Sequence, residues 1–159
     1  MSMREYLTDL SKGDRLSFFW RLYRLRGRSK NKLARSVLTF LSNRCARRHG
    51  GYVGSGAVFA DIPSLPHGLH GIYISRYAAI GAHCRIYQNV TIGEVGGRAP
   101  IIGDHCLIGA GAVLVGGIRI GNHVNIGAGA VVHQDIPDHC TVVAQPPRIL
   151  EKEDDHARE

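Results

Sequence analysis

Residues 101–133 read IIGDHCLIGAGAVLVGGIRIGNHVNIGAGAVVH, and an aliphatic side chain returns at every sixth position: Ile102, Ile108, Leu114, Ile120, Ile126 and Val132. A period of six does not fit an α-helical stripe of about 3.6 residues per turn. Self-similarity at a fixed spacing marks a repeat architecture, in which each unit buries its apolar side only by stacking on the next. Glycine follows the aliphatic residue at Gly103, Gly109, Gly121 and Gly127, and a small or medium apolar residue comes four positions after it at Cys106, Ala112, Ile118, Val124 and Ala130. Large and small inward positions between glycine-marked corners close three hexads into one triangular coil, and parallel pairing stacks the coils about 4.8 Å apart. The expected fold is mainly β: a left-handed parallel β-helix of hexapeptide repeats, with a short N-terminal helical arm.

Working outward, the register continues upstream through Ile92, Ile86, Ile80 and Ile74, with four extra residues before Ile102. It extends to Leu65, Phe59 and Val53 with three extra residues before Ile74. If half of an ordinary chain is apolar, ten apolar hits in one chosen register, as from Ile74 to Val132, arise by chance about once in a thousand. The helix should have roughly four to five coils. Its period is interrupted at residues 66–72 and 94–100, and loops extruded from a rigid scaffold are where binding and catalytic residues tend to sit. Residues 1–48 lack the period; Leu22, Leu25, Leu33, Val37, Leu38 and Leu41 indicate two helices broken near residues 27–31. The chain therefore divides into a basic helical arm (1–48), a β-helix domain (50–150) and a charged tail (151–159) expected to be disordered or a loose final turn.

The 159 residues carry a net charge of +7, unevenly placed: residues 1–50 hold 13 Lys and Arg against 3 acids, the remainder 7 against 10. The arm admits three readings: the solvated face of a capping helix pair, a membrane-surface anchor, or a nucleic-acid contact. Phe18, Phe19, Trp20 and Tyr23 interleaved with Arg21, Arg24, Arg26 and Arg28 suit the second, because anionic lipid attracts such a helix; nucleic acid is not expected as a partner. No stretch reaches the 18 or so uncharged apolar residues of a membrane span. Cys45, Cys84, Cys106 and Cys140 form no CxxC pair, and without a secretory signal they read as reduced thiols. The expected location is the cytoplasm, at the inner face of a membrane if the arm anchors there.

His83, His105 and His123 each fall three residues after an inward aliphatic, one coil apart, and should form a vertical ladder on one edge. One reading is metal binding. The other is that the slot is a corner needing a left-handed backbone, which His tolerates better than most residues. Tetrahedral zinc wants convergent ligands, whereas a ladder is linear; no metal is expected.

The strings LPHGLHGIYIS (65–75), IYQNVTIG (86–93), GGRAPIIGDHCLIGAGAVLVGGIRIG (96–121) and IGAGAVVHQDIPDHCTVVAQPPR (126–148) together resemble the hexapeptide-repeat acyltransferases. Within them they are similar to the serine acetyltransferase-like branch and to small capsular polysaccharide O-acetyltransferases. The resemblance implies homotrimers with acetyl-CoA, the co-substrate, lying between subunits, and one catalytic histidine per site. Family members place that histidine two residues after an inward leucine, which here is His67 after Leu65, with His70 as second choice. A near-neutral imidazole suits removal of the acceptor hydroxyl's proton as its oxygen attacks the thioester. The same resemblance puts the pantetheine arm of CoA along Ala110 and Ala128, with Arg148 near its phosphates.

The acceptor is the open point. In serine acetyltransferases the stretch corresponding to residues 98–100 reads Arg-His-Pro, and an Asp precedes the catalytic His. This chain has Arg98, Ala99, Pro100, and Pro66 before His67. A saccharide hydroxyl needs only neutral partners such as Gln88 and Asn89, with Arg98 beside them. The expected activity is thus acetyl-CoA-dependent O-acetylation of a saccharide, a capsular or other polysaccharide precursor. Serine O-acetylation is the alternative, and a non-catalytic or metal-binding β-helix a distant third.

Overall fold

A computed structural model describes residues 16–146 and 148–150. Helices α1 (Ser17–Arg28) and α2 (Lys32–Arg48) precede thirteen short strands. These are β1 (Tyr52–Val53), β2 (Val58–Phe59), β3 (Tyr73–Ile74), β4 (Ala79–Ile80), β5 (Arg85–Ile86), β6 (Thr91–Gly93) and β7 (Ile101–Ile102). Then follow β8 (Leu107–Ile108), β9 (Val113–Val115), β10 (Arg119–Ile120), β11 (Asn125–Ile126), β12 (Val131–Val132) and β13 (Thr141–Val142). Strands pair with the second or third strand along the chain to form three parallel sheets, ordered β1-β3-β6-β9-β12, β2-β4-β7-β10 and β5-β8-β11-β13, which we call sheets A, B and C. This is the left-handed β-helix that the hexads require.

The register follows the aliphatic series residue for residue: Val53 pairs with Ile74, Ile74 with Ile92 and Ile92 with Leu114. The inward aliphatics and the smaller residues four positions on form one continuous core. The frame also runs past Val132, where the sequence series stopped: Ile136 bridges to Ile120, and Val142 pairs with Ile126. A shortened turn between Val132 and Ile136 hides these two from a strict count of six. Cys84 and Cys106 stack inside the core, donating to the carbonyls of Gly103 and Gly121. The hydrogen bond with Cys106, together with burial, pushes the Cys84 thiol up, so it stays protonated.

Corners between sheets B and C are turned by His83, His105 and His123, all at φ of 55° to 57°, and by His139 at 60°. Their rings stack at centroid spacings of 4.8 to 4.9 Å. The corner reading of the histidines holds, and the ladder has a fourth member that the broken period hid. Among the described residues no group of three or more His, Cys, Asp or Glu is placed to hold a metal ion.

The helices break where the sequence indicates, with Asn31 capping α2 by accepting from the backbone N–H groups of Leu33 and Ala34. They sit on the first coil. Phe19 and Trp20 are buried, Phe19 on Trp20 and Trp20 on Phe59, and the Tyr23 hydroxyl lies 2.9 and 2.8 Å from the carbonyl oxygens of Gly54 and Ala57. Arg26 donates to Thr39 Oγ1 and reaches the Ser55 carbonyl. This corrects the aromatic part of the membrane-anchor reading: three of its four aromatic residues plug the open end of the β-helix, because the first coil has no coil above it to cover its core. No helix among the described residues is long and apolar enough to cross a membrane. Residues 1–15 and 151–159 lie outside the described residues, so the charged tail does too.

Candidate active site

The edge where sheet C turns into sheet A gathers most of the candidate residues. Its corners are stacked by backbone hydrogen bonds: Asn89 donates its N–H to the His70 carbonyl, Gly111 to Gln88, and Gly129 to Ala110. His70, Gln88, Ala110 and Ala128 therefore occupy equivalent positions in successive coils. His67 lies beside them, its ring 5.9 Å from that of Tyr87.

The first interruption, residues 66–72, is a plugged loop rather than a free one. Leu69 and Ile72 are fully buried, while His67 and His70 are exposed. Backbone N–H groups of Gly68, Ile72 and Gly71 donate to the carbonyls of Leu65, Leu69 and Gly50. Gly68 and Gly71 take φ of 63° and 66°, a conformation costly for a residue with a Cβ; a Cβ on Gly71 would also run into the Asn89 side chain. Two apolar anchors and two left-handed turns hold the imidazoles outward on a rigid base, which is what an oriented proton acceptor needs.

Gln88 is half-buried, and its Oε1 has no hydrogen-bond partner among the described residues. A buried carbonyl oxygen left unpaired costs about 1–3 kcal/mol, so this atom is well placed to accept a hydrogen bond from a ligand. Asn89 has φ 59° and lies against Gly71; it is first of all a corner residue. Ala110 is half-buried and Ala128 exposed, and neither projects anything larger than a methyl from the edge below Gln88. That leaves a shallow path down the coils.

Arg98 is not brought to this edge. Residues 94–100 connect β6 in sheet A to β7 in sheet B, so Arg98 stands at the other side of sheet A from His67. There Val95 and Arg98 exchange backbone hydrogen bonds around Gly96 and Gly97, both at positive φ. That is a two-residue hairpin turn, the geometry that glycine pairs allow. Ser75 donates its hydroxyl to Glu94 at the hairpin base, and the Arg98 stem packs over Gly117. Ala99 and Pro100 point into the core, so no polar side chain occupies the position after Arg98. Arg148 is exposed beyond β13, outside any helix or strand. Tyr87 escaped the sequence reading; its outward position one residue after inward Ile86, below the loop, was the available signal.

Residues 99–134 match the family profile described as bacterial transferase hexapeptide (six repeats). The serine acetyltransferase of Synechococcus elongatus is 42% identical over 105 residues, covering 64% of this chain and 40% of that protein. That of Staphylococcus epidermidis is 44% identical over 93 residues, 56% of this chain and 43% of its own. Among solved structures, Neisseria gonorrhoeae serine acetyltransferase in complex with serine superposes with a TM-score of 0.71 at 32% identity, over 82% of this chain and 55% of that one. Serine acetyltransferase from Brucella abortus gives 0.72 at 28% identity, over 83% and 55%. The chain spans about half the length of these relatives, or less.

Proposed function

We propose, on the premise that this chain carries the β-helix of the hexapeptide-repeat acyltransferases, that it transfers an acetyl group from acetyl-CoA to a hydroxyl. The observation that carries the reading is the alignment of His67, Tyr87, Gln88, Ala110 and Ala128 along one edge. His67 takes the proton of the acceptor hydroxyl as the oxygen attacks the thioester carbonyl carbon. The C–S bond then breaks, and the imidazolium returns the proton to the departing CoA sulfur. His70 is the second candidate for this role. Gln88 receives a hydrogen bond from the acceptor or from the pantetheine amide through its unpaired Oε1, and the pantetheine arm lies over Ala110 and Ala128, with Arg148 toward its phosphates.

The relatives move the leading acceptor from a saccharide to serine, since all those named above are serine acetyltransferases and one was solved with serine bound. A saccharide remains the second reading because Pro66 and buried Ala99 offer no side chain to hold an amino acid's charged groups. In both readings the site forms between subunits of a homotrimer. The test is CoA release from acetyl-CoA across serine and a panel of sugars. Serine should be the best acceptor, and His67→Ala should lower its rate by about 10²- to 10⁴-fold. Unchanged turnover in that variant would remove His67 from the mechanism, and a sugar outpacing serine would reverse the acceptor order.

A further inference from the structure

We propose that the outer side of the α1–α2 pair docks on an anionic phospholipid surface, with α2 as the contact. Once Phe19, Trp20 and Ala46 are committed to the core, a different apolar set is left without cover. Leu33, Val37, Phe40 and Leu41 follow i, i+4, i+7 and i+8 along α2 and are 75%, 51%, 65% and 41% exposed. That spacing is one face of a helix. Phe40 is shared by two adjoining grooves of about 510 and 520 Å³, one lined by Arg44, Arg47 and Arg48, the other by Arg26, Lys32 and Arg35. Cations thus border the apolar stripe at Phe40. Residues 17–48 hold ten Lys and Arg and no acid.

The occupant follows from that combination. Nucleic acid would use the cations but give no reason for exposed Leu33, Val37 and Phe40. A second copy seated by the same face would bring ten cations against ten. An anionic bilayer answers both features, taking the apolar stripe into the headgroup boundary and pairing the flanking cations with lipid phosphates. The inference does not rest on the proposed acetyl transfer, since none of these residues lies at the His67 edge.

The test is flotation of the full chain with vesicles of phosphatidylcholine alone and of phosphatidylcholine mixed with phosphatidylglycerol. Binding should appear only with the mixed vesicles, weaken as salt is raised, and fall at least about tenfold in Phe40→Ser and in the double variant Arg44→Glu/Arg47→Glu, each with unchanged thermal unfolding. No binding to the mixed vesicles overturns the proposal, as does binding that survives both variants. Tighter binding to duplex DNA than to mixed vesicles overturns it in favour of a nucleic-acid face. A solution mass that drops in Phe40→Ser overturns it in favour of a contact between protein chains.

Discussion

The Tyr23 hydroxyl, wedged between the Gly54 and Ala57 carbonyls, has its pKa pushed up to about 12, chiefly by burial. A tyrosine raised above its unfolded value of about 10 favours the folded state below pH 10 and loses that contribution as pH rises toward 12. Melting temperature should therefore fall across that window, and Tyr23→Phe should flatten the fall while costing about 1 kcal/mol at neutral pH. The corner histidines give a second test at this scale. At φ 57°, His105→Asn should melt within a degree or two of the parent, whereas His105→Val should lose roughly 1–2 kcal/mol in denaturant unfolding, because a branched Cβ crowds the left-handed backbone. The corners at His83, His105 and His123 were legible in the sequence, since only the backbone slot and its spacing were needed, whereas the broken period hid His139. The stacking of their rings was a consequence of coil spacing and was legible too.

At the level of elements, the loop at 66–72 shows what a period can and cannot reveal. Its position was visible as three surplus residues, but its anchor Leu69 was not. Ile72 falls two before Ile74, in the inward slot that Val90 fills before Ile92, but Leu69 belongs to no register, so nothing in the spacing said that it would turn inward. Leu69→Ala should cost about 2–5 kcal/mol in chemical denaturation. If the loop orients His67 as proposed, the same variant should lower kcat more than it alters KM for acetyl-CoA. The hairpin at 94–98 was readable from Gly96-Gly97, yet its place on the far side of sheet A was not. The N-terminal aromatics misled for a related reason: alternating Arg and aromatic residues describe an interfacial helix equally well as a lid, and Phe59 on the first coil decides for the lid.

On the scale of the whole molecule, His67 and Arg98 lie at opposite sides of sheet A, so a site using both needs two chains. The outward column of that sheet is suited to contact, with Tyr73 and Val131 largely exposed. Sedimentation should give a mass three times the 17.4 kDa of one chain. If Arg98 serves the partner's site, mixing His67→Ala with Arg98→Ala subunits, each inactive alone, should restore part of the activity; no recovery would confine the chemistry to one edge of one chain.

The β-helix itself was settled by sequence, because a hexad repeat constrains each residue through its neighbours one coil away, and that neighbour is a fixed number of positions along the chain. Inward positions, corners and interruptions all follow from counting. The tertiary structure alone decided what depends on contacts without fixed spacing: which apolar residues of the loop plug the core, which aromatics seal the first coil, and which stripe of α2 is left uncovered. It also separated Arg98 from His67, since two interruptions of one period reach different edges according to where each falls within the triangular turn.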